Sequence, residues 1–224
     1  MLIIQSKNNL NFIYCDHDIA IINKPSGLLS VPGKGIKNFD SVETRLKNYF
    51  PNIISQPAVH RLDQHTSGIL VLALNKPAHK NLSVQFQNHQ IEKKYIAILN
   101  GFIEKKSGKI ELPFRLDLQN RPKQIYDSEK GKPGITVWEK IGDLQIKENC
   151  KKKYSKILFT PITGRTHQLR LHASHRLGLG TAIIGDSLYG AEKQSDKLFL
   201  HSFFISFIHP ATNKKISFFS EPDF

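Results

Sequence analysis

His60-Arg61-Leu62-Asp63-Gln64-His65-Thr66-Ser67-Gly68 runs directly into Ile69-Leu70-Val71-Leu72-Ala73-Leu74. A polar turn containing Thr, Ser and Gly therefore feeds an apolar run of strand length. The turn sets an ionisable carboxylate, Asp63, two residues after Arg61 and at the mouth of a buried strand. A charge in that place is costly unless paired. Asp63 is thus either a well-neutralised structural group or a chemically active one.

Outward from this segment the chain reads as short strands with few helices. Phe12–Cys15 and Ile19–Asn23 form strands around an Asp16-His17-Asp18 turn, and a Gly/Pro/Ser-rich loop follows from Lys24-Pro25-Ser26-Gly27 to Gly35. Asp40 caps a helix over 41–49 with Glu43 as its capping-box partner. Pro77 suits the first turn of a second helix, in which Ala78, Leu82 and Phe86 recur at helical spacing to about residue 89. Further strands are expected at Tyr95–Leu99, 108–114, 134–140 and about 154–160, with an Asn120-Arg121-Pro122-Lys123 loop between the second and third. The Thr163-Gly164-Arg165 turn opens a short helix over 166–175, and Leu198–Phe207 and Lys215–Phe219 close the chain as strands. Strands in runs with few helices between them predict an α+β fold with a mostly antiparallel central sheet. No repeat appears, and the Lys-rich stretch 147–153 is too short to divide the chain, so one domain over residues 1–224 is expected.

Composition narrows the function. Lys+Arg number 32 against 19 Asp+Glu, a formal charge of +13. That excess favours a polyanionic partner, because neutralising phosphates releases counterions and steers encounter. The plain alternative is a solvated basic surface. Cys15 and Cys150 form no CxxC pair and no disulfide framework. The opening MLIIQSKNNLNF lacks the apolar core of a signal peptide, and no apolar run reaches bilayer-spanning length. A soluble cytoplasmic protein is expected, with no membrane partner. No GxGxxG follows a strand, which argues against a dinucleotide enzyme.

Asp63, if catalytic, has to be ionised at neutral pH. Burial raises a carboxyl pKa and a guanidinium lowers it, so the catalytic reading requires a permanently charged partner. Arg165, in a tight turn before a helix, suits that task; otherwise it is an ordinary surface arginine. His167 and His172 lie five residues apart with no acid between them and no Cys/His cluster nearby, which is not metal-ligand spacing, so no metal is expected. Tyr95 after Lys93-Lys94 either fills the core edge or stacks on a flipped base. Lys24, Lys34, Lys37, Arg121, Lys123 and the run Lys151 to Lys153 could contact phosphates, and His167 and Arg170 could contact RNA.

These stretches together resemble the RluA-type pseudouridine synthases. His60-Arg61-Leu62-Asp63 with Thr66-Ser67-Gly68 is similar to that family's central motif. Asn23-Lys24-Pro25-Ser26-Gly27-Leu28 resembles its first motif and Lys93-Lys94-Tyr95-Ile96-Ala97 its second. Gly164-Arg165-Thr166-His167-Gln168-Leu169-Arg170 and Ile184-Gly185-Asp186-Ser187-Leu188-Tyr189-Gly190 resemble its last two. All five occur in family order and span most of the chain. Leu28-Leu29-Ser30-Val31-Pro32-Gly33, Asn120-Arg121-Pro122-Lys123, Gly131-Lys132-Pro133 and Asp223-Phe224 are similar to the RluA subfamily in particular. Only 22 residues precede Asn23, so the N-terminal S4 domain of many relatives is not expected.

The resemblance implies an isomerase that turns uridine into pseudouridine in structured RNA loops, acting without cofactor and as a monomer. Its targets would be uridine 32 of tRNA and uridine 746 of 23S rRNA, or another uridine within the same family's range. Asp63 would be the nucleophile or base, Arg165 would keep it ionised, Tyr95 would stack on the flipped uracil, and Arg61 would help fill the vacated space. Two rivals remain at this stage. One is a non-catalytic RNA-binding protein. The other is a carboxylate glycoside hydrolase, which usually needs two acids across a cleft where only Asp63 stands in a plausible motif.

Overall fold

The computed structural model describes residues 9–35, 39–144, 153–190 and 195–224. In chain order the elements are β1 (Asn11–Cys15), β2 (Ile19–Lys24), α1 (Val42–Tyr49), β3 (Ser67–Ala73), α2 (Lys76–Gln87), β4 (Glu92–Leu99), β5 (Ser107–Leu116), β6 (Gln124–Tyr126), β7 (Lys132–Leu144), β8 (Tyr154–Pro161), α3 (Gln168–Ser174), β9 (Leu200–Ile208) and β10 (Lys215–Phe219). The fold is α+β, with many strands and few helices. Two compact units divide the described residues: one drawn from Met1–Glu92 and Ser202–Pro222, the other from Lys93–His201 and Asp223–Phe224.

In the first unit the strand order is β1-β2-β3-β9, with β10 paired to β9. β1 runs antiparallel to β2, β2 to β3 and β9 to β10. Every residue of β3 is buried, as its unbroken apolar run requires. Ile69, Val71 and Ala73 face a core built with Ile19, Ile21, Ala78, Leu82, Ile205 and Phe207. Fully burying one aliphatic side chain is worth about 1.5–3 kcal/mol, so β3 is the firmest point to which the Asp63 turn could be tied.

Both helices of this unit are capped by neutral side chains. Ser41 Oγ accepts the Thr44 N–H at 3.1 Å while Thr44 Oγ1 accepts the Ser41 N–H at 2.8 Å. The cap is therefore Ser41 and not Asp40, whose carboxylate instead takes a two-pronged bond from Arg45 at 2.8 and 2.7 Å. Glu43 pairs with Lys47 one turn on, at 3.1 Å. Asn75 caps α2 through the Ala78 N–H at 2.9 Å.

In the second unit the order is β4-β8-β7-β5-β6, and each of these pairs is antiparallel. β5 and β7 are longer than the sequence suggests, and β6 pairs with β5 within the 117–126 loop region where no strand was expected. The core gathers Ala97, Leu99, Trp138, Ile157 and Phe159 from the strands and Leu169 and Ala173 from α3. Side chains alternate along a strand, so Leu99, Ala97, Tyr95 and Lys93 share one face of β4. That row runs from the deep core, past Tyr95 at its margin, to a lysine.

Candidate active site

The turn that carries Asp63 joins β3 through Gly68, which adopts φ +103°. A Cβ there would stand 2.3 Å from Ser202 O and 2.6 Å from Ser202 N, so only glycine fits. The backbone on both sides of Asp63 is then clamped by residues 24–30. Ser30 Oγ donates to Leu62 O at 2.8 Å and accepts the Leu62 N–H at 3.0 Å. Gln64 O accepts from the Gly27 N–H and from Lys24 Nζ, each at 2.9 Å. Gln64 Nε2 returns a bond to Gly27 O at 3.1 Å, and Ser26 Oγ donates to His65 O at 2.7 Å. The residue before Asp63 and the two after it are thus fixed through their peptides, while the carboxylate itself remains half-buried.

Lys24 is the centre of this clamp. Its side chain is fully buried, and Nζ donates to Pro25 O, Leu28 O and Gln64 O at 3.0, 2.7 and 2.9 Å. Three acceptors match the three protons of an ammonium. Burial pushes its pKa down to about 7, and the negative charge of Asp63 opposes that fall. The expectation that Lys24 contacts RNA is therefore corrected: its donors are committed inside the fold. Arg61 is exposed.

The second unit carries Tyr95 and Arg165. Tyr95 lies half-buried against the core, opposite Phe159 of β8. The Arg165 turn is held by Gln168, which is buried. Gln168 Oε1 accepts from Thr163 Oγ1 at 2.7 Å and from the Arg165 N–H at 3.2 Å, while Nε2 donates to Ile135 O and Thr136 Oγ1 at 3.0 and 2.9 Å. The Arg165 guanidinium rests on the Phe114 ring, 4.5 Å from its centroid, and Nη1 donates to Lys132 O. Burial lowers its pKa from the ordinary value. Lys93 reaches the same turn, since a Cβ at Gly164 would stand 3.3 Å from its Nζ. Burial lowers the Lys93 pKa as well.

Two more expected RNA contacts turn inward. Arg170 is buried and makes a two-pronged bond to Asp186 at 2.8 and 2.7 Å. Asp186 Oδ1 also accepts the N–H groups of Leu188 and Tyr189 at 3.0 and 3.1 Å. His167 is buried at φ +55°, with Nδ1 3.1 Å from Tyr189 Oη. That oxygen also accepts the Gln124 N–H at 2.7 Å. His167 and Arg170 therefore knit the 164–170 and 184–190 stretches together and do not present donors to solvent. Arg121 is exposed and Lys123 half-exposed, with Lys123 Nζ 5.7 Å from the Tyr189 ring centroid. Lys37, Lys151 and Lys152 lie outside the described residues.

Among the described residues one group could surround a cation: Asp16, Asp18 and His209. Its atoms are already engaged. His209 Nδ1 accepts the Ala211 and Thr212 N–H groups at 3.2 and 3.1 Å, so Nε2 carries the proton it donates to Asp16 Oδ2 at 2.8 Å. A neutral histidine in that tautomer has no lone pair left for a metal. No described helix is long and apolar enough to cross a membrane.

The arrangement is a rigidly presented carboxylate in one unit, and in the other an aromatic ring on the same strand face as a cation-lined turn. The chain matches the RNA pseudouridylate synthase family over residues 18–175, a stretch that contains Asp63, Tyr95 and Arg165. The chain belongs to that family. It is similar to the dual-specificity RNA pseudouridine synthase RluA of Haemophilus ducreyi (strain 35000HP / ATCC 700724), 41% identical with 96% of this chain and 94% of the relative covered. The RluA protein of Escherichia coli (strain K12) is 39% identical over the same shares. Among solved structures, human RNA pseudouridylate synthase domain containing 1 superposes with a TM-score of 0.78 at 27% identity, covering 97% of this chain and 85% of that one. This pseudouridine synthase is accordingly an isomerase that acts on RNA.

The residues that sequence reasoning missed are those that hold the candidate groups in place. Ser30, Ser26 and Gln168 carry no chemistry of their own, and their acceptors lie far off in sequence. Family-like spacing marked their stretches but not the bonds they make.

Proposed function

We propose that this pseudouridine synthase isomerises uridines in RNA loops at two sites, uridine 32 of tRNA and uridine 746 of 23S rRNA. The observation that carries this reading is the dual-specificity RNA pseudouridine synthase RluA description of relatives that align with 96% of the chain. Stacked uridine hides C1′ and C5, so the nucleotide has to be extruded, at a cost of a few kcal/mol that is least in a loop. The N1–C1′ bond then breaks, the uracil turns, C5 bonds to C1′, the C5 proton leaves and N1 gains one. Atoms and charge balance with no oxidant and no added water.

On this reading Asp63 is the nucleophile or base, Tyr95 stacks on the everted uracil, Arg165 keeps the acid anionic, and Arg61 fills the gap in the RNA. Arg121 and Lys123 contact phosphates. The protein works as a monomer in the cytoplasm. The rigid clamp on the Asp63 backbone supports an active over a purely binding role, since binding alone needs no fixed half-buried acid. Mapping pseudouridine in total RNA from cells with and without the gene tests this. Loss at both named positions is expected. Loss at other uridines moves the target within the family, and no loss anywhere returns the binding-only reading.

A further inference from the structure

Backbone N–H groups along a strand point alternately to its two sides. Along β3 the Leu74 N–H goes to Asp18 O at 2.8 Å, beside β2, while the Ala73 N–H turns the other way to Pro57 O at 2.8 Å. Ala58 and Leu72 form the antiparallel bridge at this point. Two residues back, the Val71 N–H on that same side meets a side chain: it donates to His60 Nε2 at 3.0 Å. The imidazole stands where a carbonyl of a pairing strand would stand. Its ring is stacked on Phe86 of α2, with centroids 4.6 Å apart and planes 24° from parallel. Accepting at Nε2 requires a neutral ring with its proton on Nδ1.

His60 thus marks the place where the chain, having run alongside β3 at Ala58, turns away from its edge and enters the Asp63 turn. Only the exposed Arg61 and the buried Leu62 lie between it and the acid. Ser30 and Lys24 fix the peptides of Leu62 and Gln64, before and after the acid. His60 fixes the start of the turn through the Val71 N–H.

We propose that His60 is a positioning residue for Asp63, acting through its Nε2 acceptor on the Val71 N–H. This rests on the reading of Asp63 as the reacting acid. A displacement of about 1 Å at a reacting group can reduce rate by about a hundredfold, so losing this anchor should lower turnover and leave RNA capture intact. The role belongs to the acceptor and not to the ring. His60→Phe keeps the stack on Phe86 and strands the Val71 N–H, whereas His60→Gln presents an amide oxygen close to the position of Nε2.

The test is steady-state kinetics on tRNA and large-subunit rRNA transcripts carrying tritium at uracil C5, which is released when C5 joins C1′. His60→Phe is expected to lower kcat about tenfold or more with KM within about threefold. His60→Gln is expected to stay within about threefold of wild type. Wild-type kcat in His60→Phe overturns the proposal, and so does a loss carried by KM alone. Equal damage in both variants also overturns it, because the ring and not the acceptor would then matter. If His60→Phe does not fold, His60→Gln decides alone: wild-type turnover sustains the proposal and a loss of about tenfold ends it. Wild-type protein that releases no tritium beyond an Asp63→Asn control would instead remove the proposed function.

Discussion

The Asp63 turn and the Arg165 turn are held differently. Around Asp63 the grip is on the peptide: Leu62, Gln64 and His65 are bonded through backbone atoms to Ser30, Lys24, Gly27 and Ser26. Around Arg165 the charged side chain itself is engaged, lying on the Phe114 face and bonded to Lys132 O. Bonds to the peptides before and after Asp63 set the direction in which its side chain leaves the turn. A guanidinium with five donors can spend one on its own placement and keep the rest. The first arrangement depends on several weak bonds of defined direction; the second adds to the bonds of Gln168 a packed ring under the charge itself.

The largest effect should separate chemistry from either kind of fixing. Asp63→Asn keeps the clamp and removes the anion; turnover should fall about 10³-fold or more with RNA affinity nearly unchanged, checked by tritium release alongside filter binding. Next, Lys24→Met keeps the apolar stem but leaves three carbonyl oxygens unmet, at about 1–3 kcal/mol each before the relief of burying no charge is counted. A drop of a few kcal/mol in denaturant-unfolding stability together with a turnover loss above about tenfold is expected. Wild-type behaviour in both would break the claim that the clamp centres on Lys24.

On the Arg165 side, His172 sharpens the contrast. It is fully buried, meets Phe114 edge-on at 5.9 Å, and among the described residues has no hydrogen-bond partner on either ring nitrogen. Burial, helped by the charge of His175, pushes its pKa from 6.5 down to about 4. The unfolded chain therefore takes up a proton near pH 6.5 that the folded chain refuses until about pH 4. The stability present above the first value is lost as pH falls towards the second, by up to about 3 kcal/mol. Thermal melts across that window should show His172→Leu less acid-sensitive than wild type. Phe114→Leu removes the platform under Arg165, and a kcat loss of about tenfold with small change in KM is expected from the same transcripts. Smallest of all, Ser30→Ala deletes one two-way contact and should cost about 1 kcal/mol in a denaturant titration.

Much of the fold was legible because periodicity reports local physics. The apolar run 69–74, the Ala78/Leu82/Phe86 spacing and the antiparallel strand runs all correspond to elements found. The stretches that bear Asp63, Tyr95 and Arg165 were legible through their joint resemblance to one family. What escaped was partnership across distance. Nothing local announces that Arg170 closes on Asp186, or that Lys24 serves carbonyls on both sides of its own loop and at Gln64. Both were taken for RNA contacts because a basic residue in a basic protein defaults to solvent. The cap at Ser41 was missed because Asp40 and Ser41 are both good caps, and Arg45 decides between them by claiming the aspartate.

The close approach of Gly68 to Ser202 has a consequence for biosynthesis. The unit that carries Asp63 is interrupted by Lys93–His201 of the other, and β9 completes it only after those residues have been translated. On the ribosome residues 93–201 emerge before β9 is complete. During that interval β3 lacks one flank and is open to nascent-chain chaperones, so slowed translation across 93–201 should lengthen the lifetime of a species with unpaired strand edge.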